Sequence, residues 1–393
     1  MQPIVEPGST LGVLGGGQLG AMFTGAAHRM GYRVAVWDPD QDAPAHRVAD
    51  QSFSTSFTDQ DTRERFVDAV QAMTLEWENI PAELCEWLEQ RRPMRPSSSV
   101  LRIIQDRLTQ KQFLSSSSLP ISDFAEVQSV HQLHYAIDRL DLPLICKTAR
   151  SGYDGKGQWL VRKESDIVQF ERILGTPSSG GRWIAEPIIP FIRELSVLVV
   201  RGASGDTRVY PVVENRHEQG ILRDCLVPAP ISSTEAEAAR ELSIRAVAAL
   251  QGVGVFCIEL FQGQDGRLLI NEIAPRPHNS GHYTLDACTV SQFEQQVRVT
   301  CGLPLGEVRL LSSAVMVNLL GEEVTAVMSG EGCRETFSTP GASVHLYGKR
   351  MIRPGRKMGH VTFTASDENI AVASARHFRS RIEKHPSSIA SRQ

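Results

Sequence analysis

The chain has 393 residues, 41% hydrophobic and 22% charged, with a formal net charge of −4 at pH 7. That is too long for one hydrophobic core, so two or three domains of ordinary soluble globular composition are expected. The small net charge, free of long single-sign blocks, argues against a nucleic-acid or membrane-surface partner, and no apolar stretch is long enough to span a bilayer.

The opening residues, MQPIVEPGST, lack the basic and apolar regions of a signal peptide. Seven cysteines are scattered, never as C-x-x-C, and most sit in apolar runs such as VFCIEL. They read as buried reduced thiols, and a cytoplasmic location is the expectation. Residues 10–23, TLGVLGGGQLGAMF, predict a strand, a glycine turn and a helix ending near Met30, with Gly31 as its C-cap. Gly15, Gly17 and Gly20 fit G-x-G-x-x-G, and Asp38, closing the next strand YRVAVWD, has the spacing of a ribose-binding acid. Any close strand–turn–helix uses such glycines, so an NAD-binding oxidoreductase and a purely structural turn both stay open here. DTRERFVDAV then reads as a helix, AMTLEW as a strand reaching Glu76, and PAELCEWLEQ as a helix with proline in its first turn. The alternation predicts a parallel sheet whose ligands collect at the carboxyl ends of its strands, where the glycine turn and Glu76 fall. RRPMRPSSS reads as a linker, closing a Rossmann-like first domain over residues 1–98.

A single helix is predicted from Val100 through LRIIQDRLTQKQFL. In LICKTARSGYDGKGQWLV, two apolar runs flank a loop holding Gly152, Gly155 and Gly157, with Lys147 on the incoming strand and Lys156 in the loop. Glycines let backbone N–H groups close over phosphates and lysines neutralise them, although a hairpin with surface lysines has the same composition and no Walker A loop is present. In RWIAEPIIPFIRELSVLVV a strand passes Glu186, turns near Pro190 and resumes as an alternating strand after Glu194. Glu194 could accept from a ribose, and the backbone beyond Glu186 could read an adenine edge. A plain hairpin with solvated carboxylates is the alternative.

VFCIELFQGQDGRLLINEIAPR reads as two strands joined by a two-residue turn at Asp265-Gly266. If Gln264 faces Arg267, stepping outward sets Glu259 opposite Glu272. Facing like charges destabilise a hairpin unless a hard cation bridges them, and Mg²⁺ on nucleotide phosphates is the usual case. His278 and His282 in HNSGH have i, i+4 spacing, but Pro277 and Gly281 argue against a helix and hence against zinc. The last hundred residues predict strands at AVMVNLLG, SVHLYGK and GHVTFTA and a helix near 368–383. Between them GKRMIRPGRKMGH gathers basic residues around a Pro-Gly turn, an arrangement that repels itself unless an anion binds.

Together GGGQLG, TLEWENIP, QDRLTQK, SGYDGKGQW, EQGILR, NEIAPRPHNSGH and RPGRKMGH, in this order from Gly15 to His360, resemble the ATP-grasp ligases. Within them they resemble the 5-(carboxyamino)imidazole ribonucleotide synthase family, the ATP-dependent carboxylases of purine biosynthesis. The resemblance implies an α/β and α+β chain with a Rossmann-like domain, an ATP-grasp domain over 99–288 with a glycine-rich lid at 151–158, and a small β-rich domain over 289–393. It implies ATP, Mg²⁺ and bicarbonate, a homodimer, and a first domain that binds no dinucleotide. Arg107 and Lys147 would hold phosphates under the lid Gly152, Tyr153, Asp154, Gly155, Lys156, Gly157 and Gln158. Glu186, Pro187, Ile188 and Ile189 would hold adenine, Glu194 the ribose, and His217 and Asn271 would lie near the nucleotide. Glu259 and Glu272 would carry Mg²⁺; relatives with Glu-x-Asn have a further ligand where this chain has Ala274. Tyr153 and Asp154 would organise the intermediate, and Arg276 would anchor the bicarbonate-derived group. Gln18, Leu19, Glu76, His278, Asn279 and Ser280 would contact aminoimidazole ribonucleotide, its phosphate clamped by Lys349, Arg356 and Lys357. A formate-dependent glycinamide ribonucleotide transformylase shares much of this plan and is the competing ligase.

Overall fold

The computed structural model describes residues 4–150, 152, 157–174 and 181–382. The chain first builds β1 (Thr10–Leu14), α1 (Gln18–Arg29), β2 (Arg33–Trp37), β3 (Gln51–Phe53), α2 (Gln60–Ala69), β4 (Ala72–Leu75), α3 (Ala82–Glu89) and β5 (Met94–Arg95). Its strands form a parallel sheet in the order β3-β2-β1-β4-β5. The linker predicted around Met94 therefore contains an edge strand. β1 and β4 are buried along their whole length because helices cover both faces, as parallel sheets require. One face packs Phe53, Phe66 and Leu84 against Trp37, and the other packs Phe23 and Ala27 against Phe293 and Val297.

The single helix expected from Val100 is two, α4 (Ser98–Ile104) and α5 (Arg107–Ser116). Asp106 breaks it by capping α5, its carboxylate accepting from the N–H groups of Leu108 and Thr109. Arg150 and Arg182 sit on the same buried carboxylate. A four-stranded sheet follows in the order β6 (Ala125–Val127), β9 (Trp183–Pro187), β7 (Leu144–Thr148) and β8 (Gln158–Val161). It is covered by α6 (Val130–Leu140) and α7 (Glu164–Leu174), with Trp159, Phe170 and Trp183 at the centre.

At Pro190 the chain does not fold back as a hairpin. It leaves β9 and enters β10 (Phe191–Arg201), which belongs to another sheet. That sheet runs β15-β14-β10-β12-β13-β16-β18-β17, with β11 (Thr207–Val209) on the outer end of β10. Its strands include β12 (Val213–Glu218), β13 (Ile221–Val227), β14 (Gly254–Gly263) and β15 (Leu268–Ala274), with α8 (Ser233–Ala249) across them. Leu195 to Val200 are all buried, since Leu195, Val197 and Val199 face one core and Leu198 and Val200 another. The half-exposed alternation predicted there is replaced by a run buried on both faces, the polar Ser196 included. After α9 (Thr284–Ala287) and α10 (Gln292–Thr300), β16 (Ser313–Leu320) pairs with β13, so the sheet continues unbroken into the C-terminal strands. α11 (Glu323–Met328), α12 (Gly330–Ser338), β17 (Ala342–Leu346), β18 (Lys357–Ala365) and α13 (Glu368–Ile382) complete the chain. No helix among the described residues is long and apolar enough to cross a membrane.

Candidate active site

A cavity of about 880 Å³ lies where the three regions meet. Gln18, Leu19 and Glu76 line it from the first sheet, and Arg107, Lys147, Gly152 and Gln158 from α5 and the small sheet. Glu194, His217, Glu259, Asn271, Glu272, Arg276, His278 and Asn279 line it from the large sheet, and Lys349, Arg356 and Lys357 from the basic loop. Tyr153, Asp154, Gly155 and Lys156 lie outside the described residues.

The glycine turn is already filled by carboxylates of this chain. Gly17 and Gly20 donate their N–H groups to Glu76 at 2.8 and 3.1 Å, and Gly16 donates to Asp38 at 2.6 Å. A Cβ on Gly17 would stand 2.7 Å from Glu76 Oε1. The donors that would cradle a pyrophosphate are thus occupied, and Asp38, suggested by spacing as a ribose ligand, serves the turn instead. Burial pushes the Glu76 carboxyl above its usual range, against the two N–H bonds that favour its charge.

The paired glutamates face each other, but not by the route the sequence suggested. The turn between β14 and β15 has three residues, not two: Gly263 N–H donates to Arg267 O at 2.9 Å, and Gly266 takes φ +77°. That longer turn pairs Leu260 with Ile270 and would set Asn271 opposite Glu259. A bulge at Asn271 restores the register, so Glu259 pairs with Glu272. The same bulge brings Asn271 to the cavity wall, where strict alternation would have turned it away. Nor are the two charges unpaired without a bridging cation. Glu259 Oε1 lies 3.1 Å from His278 Nε2, and Glu272 Oε2 lies 2.5 Å from Arg107 Nη1. Burial opposes charge on Glu259, yet His278 prevails and holds its pKa at about 2. On His278, burial is likewise overcome by Cys257 and Glu259, which raise it to about 10.

Lys147 reaches the cavity while Nζ sits 2.8 Å from Glu186 Oε2, and Lys111 Nζ sits 2.8 Å from Glu186 Oε1. Burial would raise the Glu186 pKa, but the two lysines hold it far below the carboxylate range. Glu186 is 5% exposed and is not part of the cavity lining; its contacts are the two buried lysines. Pro187, Ile188 and Ile189 do not line the cavity, and neither does Gly157, whose carbonyl accepts from Thr148 N–H at 2.8 Å. Ser280 is fully buried and does not line the cavity; its hydroxyl stands 2.9 Å from His278 Nδ1. His217 Nδ1 lies 2.6 Å from Glu194 Oε2 on the wall, and that bond outweighs burial to raise the histidine's pKa.

Arg276 is gripped by both oxygens of Glu78, which overcomes burial and holds the guanidinium firmly charged. Glu78 was not singled out in the sequence, although it stands two residues past Glu76 at the end of the same strand. Lys111 was missed too, and its signal is the i, i+4 spacing from Arg107 on α5. In the basic loop, Lys349 Nζ donates to the Lys357 carbonyl at 2.8 Å, and Arg356 Nη1 donates to the Met351 carbonyl at 2.8 Å. Part of the loop's charge is met within the chain, since Arg350 pairs with Asp42 of the first domain at 2.7 Å. Arg353 joins the wall beside Arg356.

Residues 9–105 match the ribonucleotide synthetase preATP-grasp domain family, 112–293 the ATP-grasp domain family, and 314–374 the phosphoribosylaminoimidazole carboxylase C-terminal domain family. N5-carboxyaminoimidazole ribonucleotide synthase of Bacillus subtilis is 40% identical over 366 residues, covering 93% of this chain and 94% of that protein. A crystal structure of an N5-carboxyaminoimidazole ribonucleotide synthetase with ADP superposes at TM-score 0.91, with 39% identity, over 98% of this chain and 99% of that one. The Aspergillus clavatus enzyme with ADP and 5-aminoimidazole ribonucleotide superposes at TM-score 0.86, with 30% identity, over 96% and 99%. With its three regions matched in order and relatives aligned over nearly their whole length, the chain belongs to the N5-carboxyaminoimidazole ribonucleotide synthase family of ATP-grasp proteins.

Proposed function

We propose that this chain uses ATP and bicarbonate to carboxylate the exocyclic amine of 5-aminoimidazole ribonucleotide, releasing ADP and phosphate. The observation that carries the reading is one cavity lined at once by Lys147, Glu259 and Glu272, by Arg276, and by Lys349 and Arg356. Cationic groups for a nucleotide, for a small anion and for a phosphate monoester thus share one space.

Bicarbonate is a poor electrophile. Transfer of the γ-phosphoryl group to one of its oxygens gives carboxyphosphate and ADP. The ribonucleotide amine then attacks the carboxyl carbon, or carbon dioxide released from it, and phosphate departs. Arg107 and Lys147 stabilise charge on the nucleotide phosphates, and Arg276, fixed by Glu78, holds the bicarbonate-derived carboxylate. Glu259 and Glu272, opposed across the hairpin with Asn271 beside them, suit a hard divalent cation. Mg²⁺ held there would neutralise charge on the phosphoryl group. Lys349 and Arg356 hold the acceptor's phosphate, with Gln18, Leu19, Glu76 and Asn279 along its other side. The enzyme acts in the cytoplasm as a homodimer on this reading; its free cysteines, all but Cys333 buried, suit a reducing compartment.

ADP release tests the assignment. It should require aminoimidazole ribonucleotide together with bicarbonate, and formate should not substitute. Release driven by formate and glycinamide ribonucleotide would replace this reading with the transformylase.

A further inference from the structure

Behind the basic loop lies a cluster of polar side chains that the carboxylation does not use. His345 on β17 and His360 on β18 are direct cross-strand partners, their rings stacked at 4.4 Å. Asp286 on α9 reaches them from the other side of the domain junction, with its two oxygens 3.2 and 3.0 Å from His345 Nε2. One ligand atom from each of the three residues falls within 4.8 Å of the others. Tetrahedral coordination at Zn–N and Zn–O lengths of about 2.0–2.2 Å needs ligand atoms about 3.4 Å apart, so the Asp286–His345 spacing already fits. The two imidazole planes lie 13° from parallel, so binding requires the His345 ring to turn out of its stack on His360 until both nitrogens face one ion.

His360 supplies the second observation. Its ring is fully buried, Nδ1 lies 2.9 Å from the Tyr347 hydroxyl, and among the described residues Nε2 finds no hydrogen-bond partner. A buried ring nitrogen left over while its neighbour is hydrogen-bonded is the arrangement of a metal-binding histidine, whose other nitrogen is fixed by an outer partner. We propose that Asp286, His345 and His360 form a second metal site, separate from the Glu259–Glu272 pair, for a divalent transition ion such as Zn²⁺. Two imidazoles and one carboxylate favour that class over Mg²⁺ or Ca²⁺. Asp286 and His345 keep side-chain exposures of 15% and 28%, which leaves room for water as a further ligand. An ion there would tie the two roots of the basic loop to α9, since Lys349 follows His345 by four residues and Lys357 precedes His360 by three.

The test is calorimetric titration of the metal-stripped, full-length protein with Zn²⁺, with saturating Mg²⁺ and ADP keeping the glutamate pair engaged. One equivalent should bind, and Co²⁺ in its place should give the visible absorption of a nitrogen- and oxygen-bound ion. His345→Ala and Asp286→Asn, both at partly exposed positions, should each abolish the equivalent. Tyr347→Phe should weaken it about tenfold or more, and Glu272→Gln should retain it. An equivalent that persists in either His345→Ala or Asp286→Asn, or none in the unaltered protein, overturns the proposal.

Discussion

At the scale of single residues, the cavity is organised by charges that hold one another in place. The Glu259–His278 pair makes a pH prediction. With His278 raised from 6.5 to about 10 and Glu259 lowered from 4.5 to about 2, the pair stabilises the fold in full between about pH 4.5 and 6.5. Its contribution fades as pH rises towards 10, where the imidazolium deprotonates, and as pH falls towards 2, where the carboxylate protonates. The difference in urea midpoint between the unaltered metal-free protein and His278→Gln should therefore be largest near pH 6 and shrink towards pH 10. A constant difference would dissolve the pair. Glu272→Gln should remove most ATPase turnover at saturating Mg²⁺. Because Arg107 loses its carboxylate partner, the metal-free variant should also melt at a lower temperature than the unaltered protein. Unchanged turnover would show that the glutamate pair holds no catalytic cation. Arg356→Ala should cost roughly 2–4 kcal/mol of acceptor binding, read as a steep rise in KM for the ribonucleotide with KM for ATP nearly unchanged. Equal losses for both substrates would mean damage to the fold.

At the scale of elements, legibility followed the range of the interactions. Strands and helices set by local periodicity, such as β2, α2 and α13, could be read to within a residue or two. Three features could not, because distant groups decide them. The break between α4 and α5 comes from Asp106 capping α5, with a carboxylate also held by Arg150 and Arg182 from far along the chain. The passage of β10 into a different sheet depends on which strands it meets, and both faces of its run are covered by later elements. At the β14–β15 hairpin the glutamate pairing was inferred correctly from a turn one residue too short, and the bulge at Asn271 makes up the difference. Facing charges were visible in the sequence; their partners Arg107 and His278 were not, since only the fold brings them near. Asp106→Ala should cost about 1–2 kcal/mol through the lost cap, with more from the stranded arginines, measured by denaturant unfolding. No change in midpoint would remove Asp106 as the cause of the break.

At the scale of the whole molecule, the cavity exists only because the regions close around one another. The large sheet crosses from β13 into β16 without interruption, so the basic loop is carried on the same framework as the glutamate pair. The first domain is joined to it by α10 packed on α1, and by Glu78 gripping Arg276. The glycine fingerprint illustrates how much of function is a property of the assembly. Read alone it allows NAD, whereas in the fold its amides are closed by Glu76 and Asp38 and it borders a cavity lined downstream by cationic side chains and the paired glutamates. The central claim is that bicarbonate entering this cavity is phosphorylated before it reaches the amine. Turnover with ¹⁸O-labelled bicarbonate, quenched before exchange with water, tests that claim most directly. Inorganic phosphate should carry one ¹⁸O from bicarbonate per turnover, and phosphate free of label, with the ribonucleotide nonetheless carboxylated, would contradict it.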